Sequence, residues 1–236
     1  MISVLSFNDI PEPFRKSHNV PIVMASSEEF LKYICITLYS LLEKGNPDNM
    51  YDLILLGFGY SQVGIEQLEI VVSKFSNVSV RVVDLSGCVF SEFYSEGHVS
   101  SETYCRLIIP KIMQKYDKII YLDGDLIVRK DVAELLDCCT DGSMLYGVPD
   151  VDIIGQYYGA DRSIRAYLWQ KLSLKYPERY LQAGVLVFDI RQILKSINFQ
   201  KLWELASNTR LRFLDQDILN CVFRDRIALI DYRWNV

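Results

Sequence analysis

Short apolar runs alternate with longer amphipathic stretches along most of the chain. The apolar runs predict buried strands, and stretches in which apolar residues recur every three or four positions predict helices. The predicted strands are 20–25, 52–58, 78–83, 119–122, 144–148, 180–188 and 227–230. The predicted helices are about 28–44, 61–75, 132–136, 164–174, 191–207 and 215–223. The β-α-β-α-β order of the first five elements is typical of a nucleotide-binding half of a doubly wound α/β sheet.

The domain organisation follows from chain length and from this pattern. The 236 residues, half of them hydrophobic, are enough to bury one large core, so we predict a single domain over 20–236. Residues 1–19 show little periodicity and contain Pro11 and Pro13. We therefore expect them to form an N-terminal tail or a covering arm.

Charge and composition exclude several classes of function. The formal net charge is −5 and no block of Lys or Arg occurs, which argues against nucleic acid as a partner. No apolar run approaches the about 18 residues needed to span a bilayer, and the first residues do not resemble a secretory signal, so we expect a cytoplasmic protein. The six cysteines show no C-x-x-C spacing, and His18 and His98 alone offer little material for a zinc site or a His-based triad.

The strongest candidate for chemistry follows the predicted central strand. Ile119–Leu122 is an all-apolar run that leads directly into Asp123, Gly124 and Asp125. A strand buried on both faces delivers its carboxyl end to the ligand crevice of an open α/β sheet. Two carboxylates there suit a hard divalent cation that is shared with phosphate oxygens. The alternative is a simple hairpin with arms 119–122 and 126–128, because Asp-Gly between two apolar runs is a strong hairpin signal.

Other candidate residues have both a functional and a purely structural interpretation. The turn after the first strand lacks the G-x-G-x-x-G loop, which argues against a dinucleotide-dependent dehydrogenase. Arg106, on a helix shortly before Pro110, is either a surface residue or a phosphate ligand. Gly184 either allows a sugar or base to approach the backbone or serves packing. Asp215 and Asp217, at a helix start, are adequately explained as helix-dipole partners.

Several separated motifs together resemble family 8 glycosyltransferases, the retaining enzymes typified by glycogenin and by bacterial lipopolysaccharide galactosyl- and glucosyltransferases. The motifs are His98, T-Y-C-R-L at 103–107, Y-L-D-G-D at 121–125, Q-A-G-V at 182–185 and D-Q-D-I-L-N at 215–220. The resemblance implies a GT-A fold, that is, a Rossmann-like mixed and mostly parallel sheet flanked by helices. It also implies transfer of a hexose from UDP-glucose or UDP-galactose, with Mn²⁺ or Mg²⁺, to a saccharide or lipid-linked saccharide acceptor in bacterial cell-surface polysaccharide synthesis.

The resemblance also assigns roles to individual residues. Asp123 and Asp125, with Gly124 between them, match the D-x-D motif that engages metal and donor, and Arg106 matches a basic residue near the donor diphosphate. Donor contacts are further implied for a set of residues in the first strand, its turn and the later strands: Ala25, Ser27, Asp150, Gln182, Ala183 and Gly184. His98 resembles an acceptor-side residue.

The implied catalytic pair is Asp215 and Gln216, beside the donor sugar. Gln216 occupies the position at which a retaining enzyme would need a nucleophile or a stabilising group. Because an amide is a poor nucleophile, departure and attack on the same face of the sugar is the expected course.

Three departures from the family pattern bear on these expectations. Ser27 stands where the family often has Asp, and Gln182 stands where it usually has Asn. The family's third metal ligand is a histidine beyond the last strand, and the sequence ends before such a segment, so we expect a chain truncated at its C-terminus. A basic tail for peripheral membrane contact would lie there too. The alternatives are a catalytically silent UDP-sugar-binding domain and a nucleotidyltransferase, although no glycine-rich basic loop for a triphosphate is present.

Overall fold

The computed structural model describes residues 2–86, 104–160, 162–208 and 211–235. The strands are β1 (Ser3–Ser6), β2 (Asn19–Ala25), β3 (Met50–Gly57), β4 (Val78–Asp84), β5 (Lys118–Leu122), β6 (Leu145–Pro149), β7 (Leu181–Asp189) and β8 (Ile227–Leu229). The helices are α1 (Leu31–Lys44), α2 (Gln62–Val72), α3 (Cys105–Ile112), α4 (Glu134–Asp137), α5 (Val151–Tyr158), α6 (Ser163–Ala166), α7 (Ile190–Ser196), α8 (Phe199–Asn208) and α9 (Leu214–Val222). A π-helical turn, Tyr167–Lys171, continues α6.

The strands form one mixed, mostly parallel sheet in the order β1-β4-β3-β2-β5-β7-β6-β8. Strand β7 runs antiparallel to its neighbours β5 and β6, and the other described pairings are parallel. The start of β7 therefore lies at the same edge of the sheet as the carboxyl ends of β2, β5 and β6, which we call the carboxyl edge. The sequence-based prediction of the fold class is confirmed.

Helices cover both faces of the sheet, so the central strands are buried on both sides. In β5, Ile120 packs in the cluster built with α1, α2 and α4, whereas Tyr121 packs in the cluster built with α3 and α5 to α9. All eight residues of β3 are buried. This two-sided burial is the reason that these strands read as continuous apolar runs instead of alternating patterns.

The N-terminal region contains a strand that the sequence pattern did not predict. Ser3–Ser6 forms the edge strand β1 and pairs in parallel with β4, in the register Ser3 to Arg81. The strand is only four residues long and is largely exposed, so it lacks the apolar run that would have identified it.

The predicted helix 191–207 is two helices. Helix α7 ends at Ser196, and Asn198 begins the next turn by accepting a hydrogen bond from the backbone N–H of Lys201 at 3.1 Å. Asparagine is a favoured N-terminal capping residue, and here it starts α8 in the middle of an otherwise continuous amphipathic pattern.

The alternative hairpin at 119–128 is not formed. The backbone N–H of Leu126 donates to Thr37 Oγ1 at 3.0 Å, and the N–H of Val128 donates to Ser40 Oγ at 2.9 Å. Residues 126–128 are thus held by side chains of α1 and not by β5. None of the helices in the described ranges combines the length and the apolar character required to cross a membrane.

Candidate functional site

The Asp-Gly-Asp turn lies at the carboxyl edge, directly after β5. The backbone N–H of Asp123 donates to the carbonyl of Gly184 at 2.8 Å, which fixes Asp123 against the start of β7. The Asp123 side chain is 28% exposed, and Asp125 is exposed on the surface. The two carboxylates are therefore accessible at the edge where parallel strands present ligand sites.

Helix α1 determines the shape of this turn. Thr37 is fully buried and its Oγ1 donates to the carbonyls of Gly124 and Leu126, at 2.8 Å each. A Cβ at Gly124 would lie 2.5 Å from Cδ1 of Ile34. A side chain at position 124 would therefore force the end of the buried Ile34 side chain on α1 to move.

Arg106 joins three elements at this site. Its Nη1 donates to Oδ2 of Asp215 at 2.6 Å, and its Nη2 donates to Oδ1 of Asp123. The guanidinium lies 4.8 Å from the ring centroid of Tyr121, and the Tyr121 hydroxyl donates to Oδ1 of Asp123 at 2.9 Å. Helices α3 and α9 and strand β5 are thus linked through one cation whose side chain is 12% exposed.

The ionisation of this group is governed by burial and by the ion pairs. Burial raises the pKa of Asp215, and Arg106 opposes that rise. Burial alone would lower the pKa of Arg106, but Asp215, Tyr121 and Asp123 raise it well above its ordinary value. Burial also raises the pKa of Tyr121 well above its ordinary value. Arg106 is therefore a permanent cation at the site, and Tyr121 is a neutral hydrogen-bond donor.

The side-chain amide of Gln216 is fixed at both ends. Its Oε1 accepts a hydrogen bond from the backbone N–H of Ala183 at 2.9 Å, and its Nε2 donates to Oδ2 of Asp150 at 2.8 Å. The other oxygen of Asp150 caps α5 by accepting from the N–H of Ile153 at 2.9 Å. Gln216 consequently has a defined orientation between β7 and the start of α5.

Gln182 and Gly184 lie beside Asp123. Oε1 of Gln182 accepts from the backbone N–H of Gly184 and from Nδ2 of Asn235, at 2.5 Å each. A Cβ at Gly184 would lie 2.8 Å from Oδ2 of Asp123. Gly184 therefore allows the Asp123 carboxylate to approach the β7 backbone.

Sequence reasoning missed a second polar group that supports the site. Asp217 is fully buried and accepts hydrogen bonds from the hydroxyls of Tyr180 and Tyr167, at 2.7 Å and 2.5 Å. Asn220 is also buried, and its amide donates to the carbonyl and accepts from the N–H of Leu181, at 2.9 Å each. Asn220 is the last residue of the D-Q-D-I-L-N motif and lies one helical turn after Gln216, but the sequence analysis gave it no role of its own.

The remaining predicted residues are placed as follows. Ala25 ends β2, which pairs with β5 through Val23 and Tyr121, so it lies at the carboxyl edge too. Ser27 follows, half-buried, and caps no helix through its side chain. Its neighbour Ser26 is buried, with Oγ 2.8 Å from the hydroxyl oxygen of Tyr60. The predicted acceptor residue, His98, lies outside the described residues.

The carboxylates at the carboxyl edge are the candidate metal ligands of the site. Among the described residues, no group of three or more His, Cys, Asp or Glu side chains is arranged to bind an ion. Asp123 and Asp125 offer carboxylate oxygens from two nearby residues. One or two carboxylates, completed by water and substrate phosphates, are a usual set for a hard cation such as Mg²⁺. The pair fits a metal that is shared with a bound diphosphate.

Several known proteins are similar to this chain. The bifunctional glycosyltransferase WbbM is 28% identical, with a TM-score of 0.85 over 96% of this chain and 41% of that chain. The galactosyltransferase LgtC, solved with donor and acceptor sugar analogues, is 24% identical, with a TM-score of 0.72 over 91% and 74% of the two chains. The lipopolysaccharide 1,2-glucosyltransferase of Escherichia coli is 23% identical over 207 residues, 85% of this chain and 57% of that protein.

These likenesses establish the fold and the family. The structures of WbbM and LgtC identify the architecture as a GT-A fold. The chain spans about half the length of the glucosyltransferase and of WbbM. The sequence model of the family described as "Glycosyl transferase family 8" matches residues 21–236. The chain therefore belongs to glycosyl transferase family 8.

Proposed function

We propose that this chain transfers a hexose from UDP-glucose or UDP-galactose to a saccharide acceptor, with retention of the anomeric configuration. The observation that carries the proposal is the connected group at the carboxyl edge. Arg106 bridges Asp123 and Asp215, and the neighbouring Gln216 is oriented by Ala183 and Asp150. In a family 8 chain, Arg106 and Asp123 would serve as the diphosphate-binding part of this group, and Gln216 would supply polar contacts to the sugar.

Asp123 and Asp125 would hold Mn²⁺ or Mg²⁺ together with the donor. When bound, such an ion neutralises charge that develops on the departing diphosphate. Arg106 supports the same charge development because it is a fixed cation whose planar donors suit phosphate oxygens. Its ion pairs with Asp123 and Asp215 also hold the Asp123 carboxylate in place before any ligand binds.

The proposed reaction course follows from the chemistry of Gln216. A neutral amide is a weak nucleophile, and its oxygen already accepts a hydrogen bond from Ala183. We therefore assign Gln216 to stabilisation and positioning of the sugar. The acceptor hydroxyl attacks the anomeric carbon from the face that the diphosphate leaves, and its proton passes to the departing phosphate oxygen. The bond from carbon to phosphate oxygen breaks as the bond to the acceptor oxygen forms.

The biological setting is also part of the proposal. The E. coli relative is named for lipopolysaccharide, and the LgtC structure for galactosyl transfer. We propose a role in bacterial cell-surface polysaccharide synthesis, with a saccharide or lipid-linked saccharide as acceptor. The corresponding location is the cytoplasm, with peripheral contact to the inner face of the membrane.

The test is a transfer assay with UDP-glucose or UDP-galactose, MnCl₂ and simple saccharide acceptors. We expect release of UDP, and an α-linked product by NMR, since both proposed donors are α-linked. Asp125→Asn should abolish turnover with the fold intact, whereas the matched control Asp152→Asn, at an exposed position of α5, should not. Failure to cleave any UDP-hexose, or full activity in Asp125→Asn, would contradict the proposal.

A second candidate is a catalytically silent UDP-sugar-binding domain. It is favoured by the ion pair that Asp123 already makes with Arg106 and by the lack of a third acidic or histidine ligand in the described part of the chain. This candidate predicts metal-dependent binding of UDP without donor hydrolysis or transfer. The same assay, combined with a binding measurement, separates the two.

A further inference from the structure

A cleft of about 670 Å³ lies at the edge of the sheet opposite the Asp-Gly-Asp turn. It is bordered by the amino ends of β2 and β5, by the carboxyl end of β7 and by the start of α7. One wall is the segment 12–19, which crosses this edge before β2 begins and which we call the strap. The volume is in the range of small-molecule sites.

The strap is fixed by a buried carboxylate. Asp52 is fully buried, and its Oδ2 accepts hydrogen bonds from the backbone N–H of Phe14 at 3.0 Å and from Nδ2 of Asn19 at 3.1 Å. Arg81, which pairs with Asp52, donates to the carbonyl of Glu12 at 2.8 Å. The strap backbone is thus anchored on both sides of Arg15 and Lys16, which keeps these two residues beside the cleft.

The cleft carries more cationic groups than free carboxylates. Arg15 and Lys16 are exposed and line the cleft, and Lys118 lines it from the first position of β5. None of these three cations has a carboxylate within ion-pair distance in the part of the chain that the structure describes, although Nζ of Lys118 donates to the carbonyl of Cys139. The two acidic residues that line the cleft already interact with other groups of the protein. Asp117 pairs with Arg191, and Asp189 caps α7.

We propose that this cleft binds an anionic ligand that carries two or more phosphate groups. Arginine and lysine are the side chains that proteins use for phosphate, and three of them without carboxylate partners border one recess. The protein as a whole is acidic, so this cationic cleft is a local feature. The cleft lies at the amino ends of β2 and β5, whereas Asp123 follows the carboxyl end of β5, so the site is separate from the donor site.

The test is a calorimetric titration of inorganic tripolyphosphate into the full chain in the presence of EDTA, so that no metal-assisted binding occurs at Asp123 and Asp125. We expect binding that weakens as salt is added. The double variant Arg15→Ala/Lys16→Ala should weaken it by about tenfold or more, since two charge-assisted contacts are lost. Lys171→Ala/Lys195→Ala is the matched control, because both residues are exposed and lie outside the cleft.

A second experiment identifies whether the phosphate belongs to a lipid or to a soluble ligand. Co-sedimentation with vesicles of phosphatidylcholine and cardiolipin, whose headgroup carries two phosphates, lost in the strap variant, would identify a lipid headgroup. Tripolyphosphate binding without vesicle binding would identify a soluble ligand. Absence of binding to both probes, or equal loss in the control variant, would overturn the proposal. Mn²⁺-dependent UDP binding should be unchanged in the strap variant, so this test is independent of the proposed transfer function.

Discussion

Asp123 is oriented before any ligand arrives. Its carboxylate accepts from Arg106 and Tyr121, and its backbone N–H donates to Gly184. A carboxylate held in this way loses little conformational freedom when it engages a cation, which favours binding. Since Asp125 is exposed, we expect Asp123 to be the more rigid member of the pair.

Gly184→Ala tests the close approach of Asp123 to β7. The added methyl group would lie 2.8 Å from Oδ2 of Asp123 and must displace that carboxylate. We expect Mn²⁺-dependent UDP binding to weaken about tenfold, because overpacking costs about 1–3 kcal/mol. Gly155→Ala is the control. Nothing lies within 4 Å of the added group on α5, so this variant should be more stable by about 0.5–1 kcal/mol and should bind UDP normally.

Asp217→Asn tests the buried carboxylate behind the site. Burial raises the pKa of Asp217, although hydrogen bonds from Tyr167 and Tyr180 oppose the rise. Between the unfolded pKa of about 3.9 and the higher folded pKa, the native state binds more protons than the unfolded state. The wild type should therefore lose unfolding free energy relative to the variant as the pH rises through this window. Urea titrations at several pH values measure that difference, and a constant difference would contradict the assignment.

Helix α9 carries several polar contacts of the site. The side-chain amide of Gln216 forms hydrogen bonds with Ala183 and Asp150. The side-chain amide of Asn220, one turn later, forms hydrogen bonds with the backbone N–H and carbonyl of Leu181. The helix therefore fixes the first residues of β7, where the pairing with β6 shifts register between Gly147 and Pro149. A rigid helix supporting a site at a strand end is more precise than a loop would be.

Asn220→Ala should destabilise the protein. The buried N–H and carbonyl of Leu181 would both lose their partner, and each unsatisfied group costs about 1–3 kcal/mol, so we expect a loss of about 2–4 kcal/mol in urea unfolding. Asn220→Asp would place a buried carboxylate oxygen against the carbonyls of Leu181 and Gln216 and should lose at least as much. Equal stability of wild type and Asn220→Ala would show that water replaces the amide.

The elements differ in how far sequence could predict them. The central strands were predictable because burial on both faces makes them continuous apolar runs, as in β3. The strand β1 was not, because its edge position leaves it exposed, and the break before α8 depends on a single Asn cap. In the site, motif residues such as Asp123 and Gln216 were identified. The pairing of Asn235 with Gln182 joins residues 53 apart, and no local pattern encodes it.

At the scale of the whole molecule, the sheet separates two regions. The candidate donor site lies at the carboxyl edge, and the strap covers the opposite edge through Asp52 and Arg81. The buried polar group under the strap also includes Tyr116, whose hydroxyl donates a hydrogen bond to Oδ2 of Asp52 at 2.9 Å. The N-terminal residues are therefore integrated with the sheet instead of forming a loose extension.

Asp52→Asn tests this integration. The change removes the carboxylate that neutralises Arg81, whose side chain is only 15% exposed. Loss of one partner of a buried ion pair costs about 3–5 kcal/mol, and we expect a decrease near the lower end since an amide still accepts hydrogen bonds. Trypsin should then cleave at Arg15 and Lys16 faster than in the wild type. Asp48→Asn, at an exposed position, should change neither stability nor cleavage.

The central claim is that Asp123 and Asp125 bind a metal together with a nucleoside diphosphate. Calorimetric titration of UDP with Mn²⁺, and again with EDTA, tests it most directly. We expect binding that requires Mn²⁺ and that disappears in Asp125→Asn while the protein remains folded by circular dichroism. Equal binding of UDP with Mn²⁺ and with EDTA, or unchanged binding in Asp125→Asn, would contradict it.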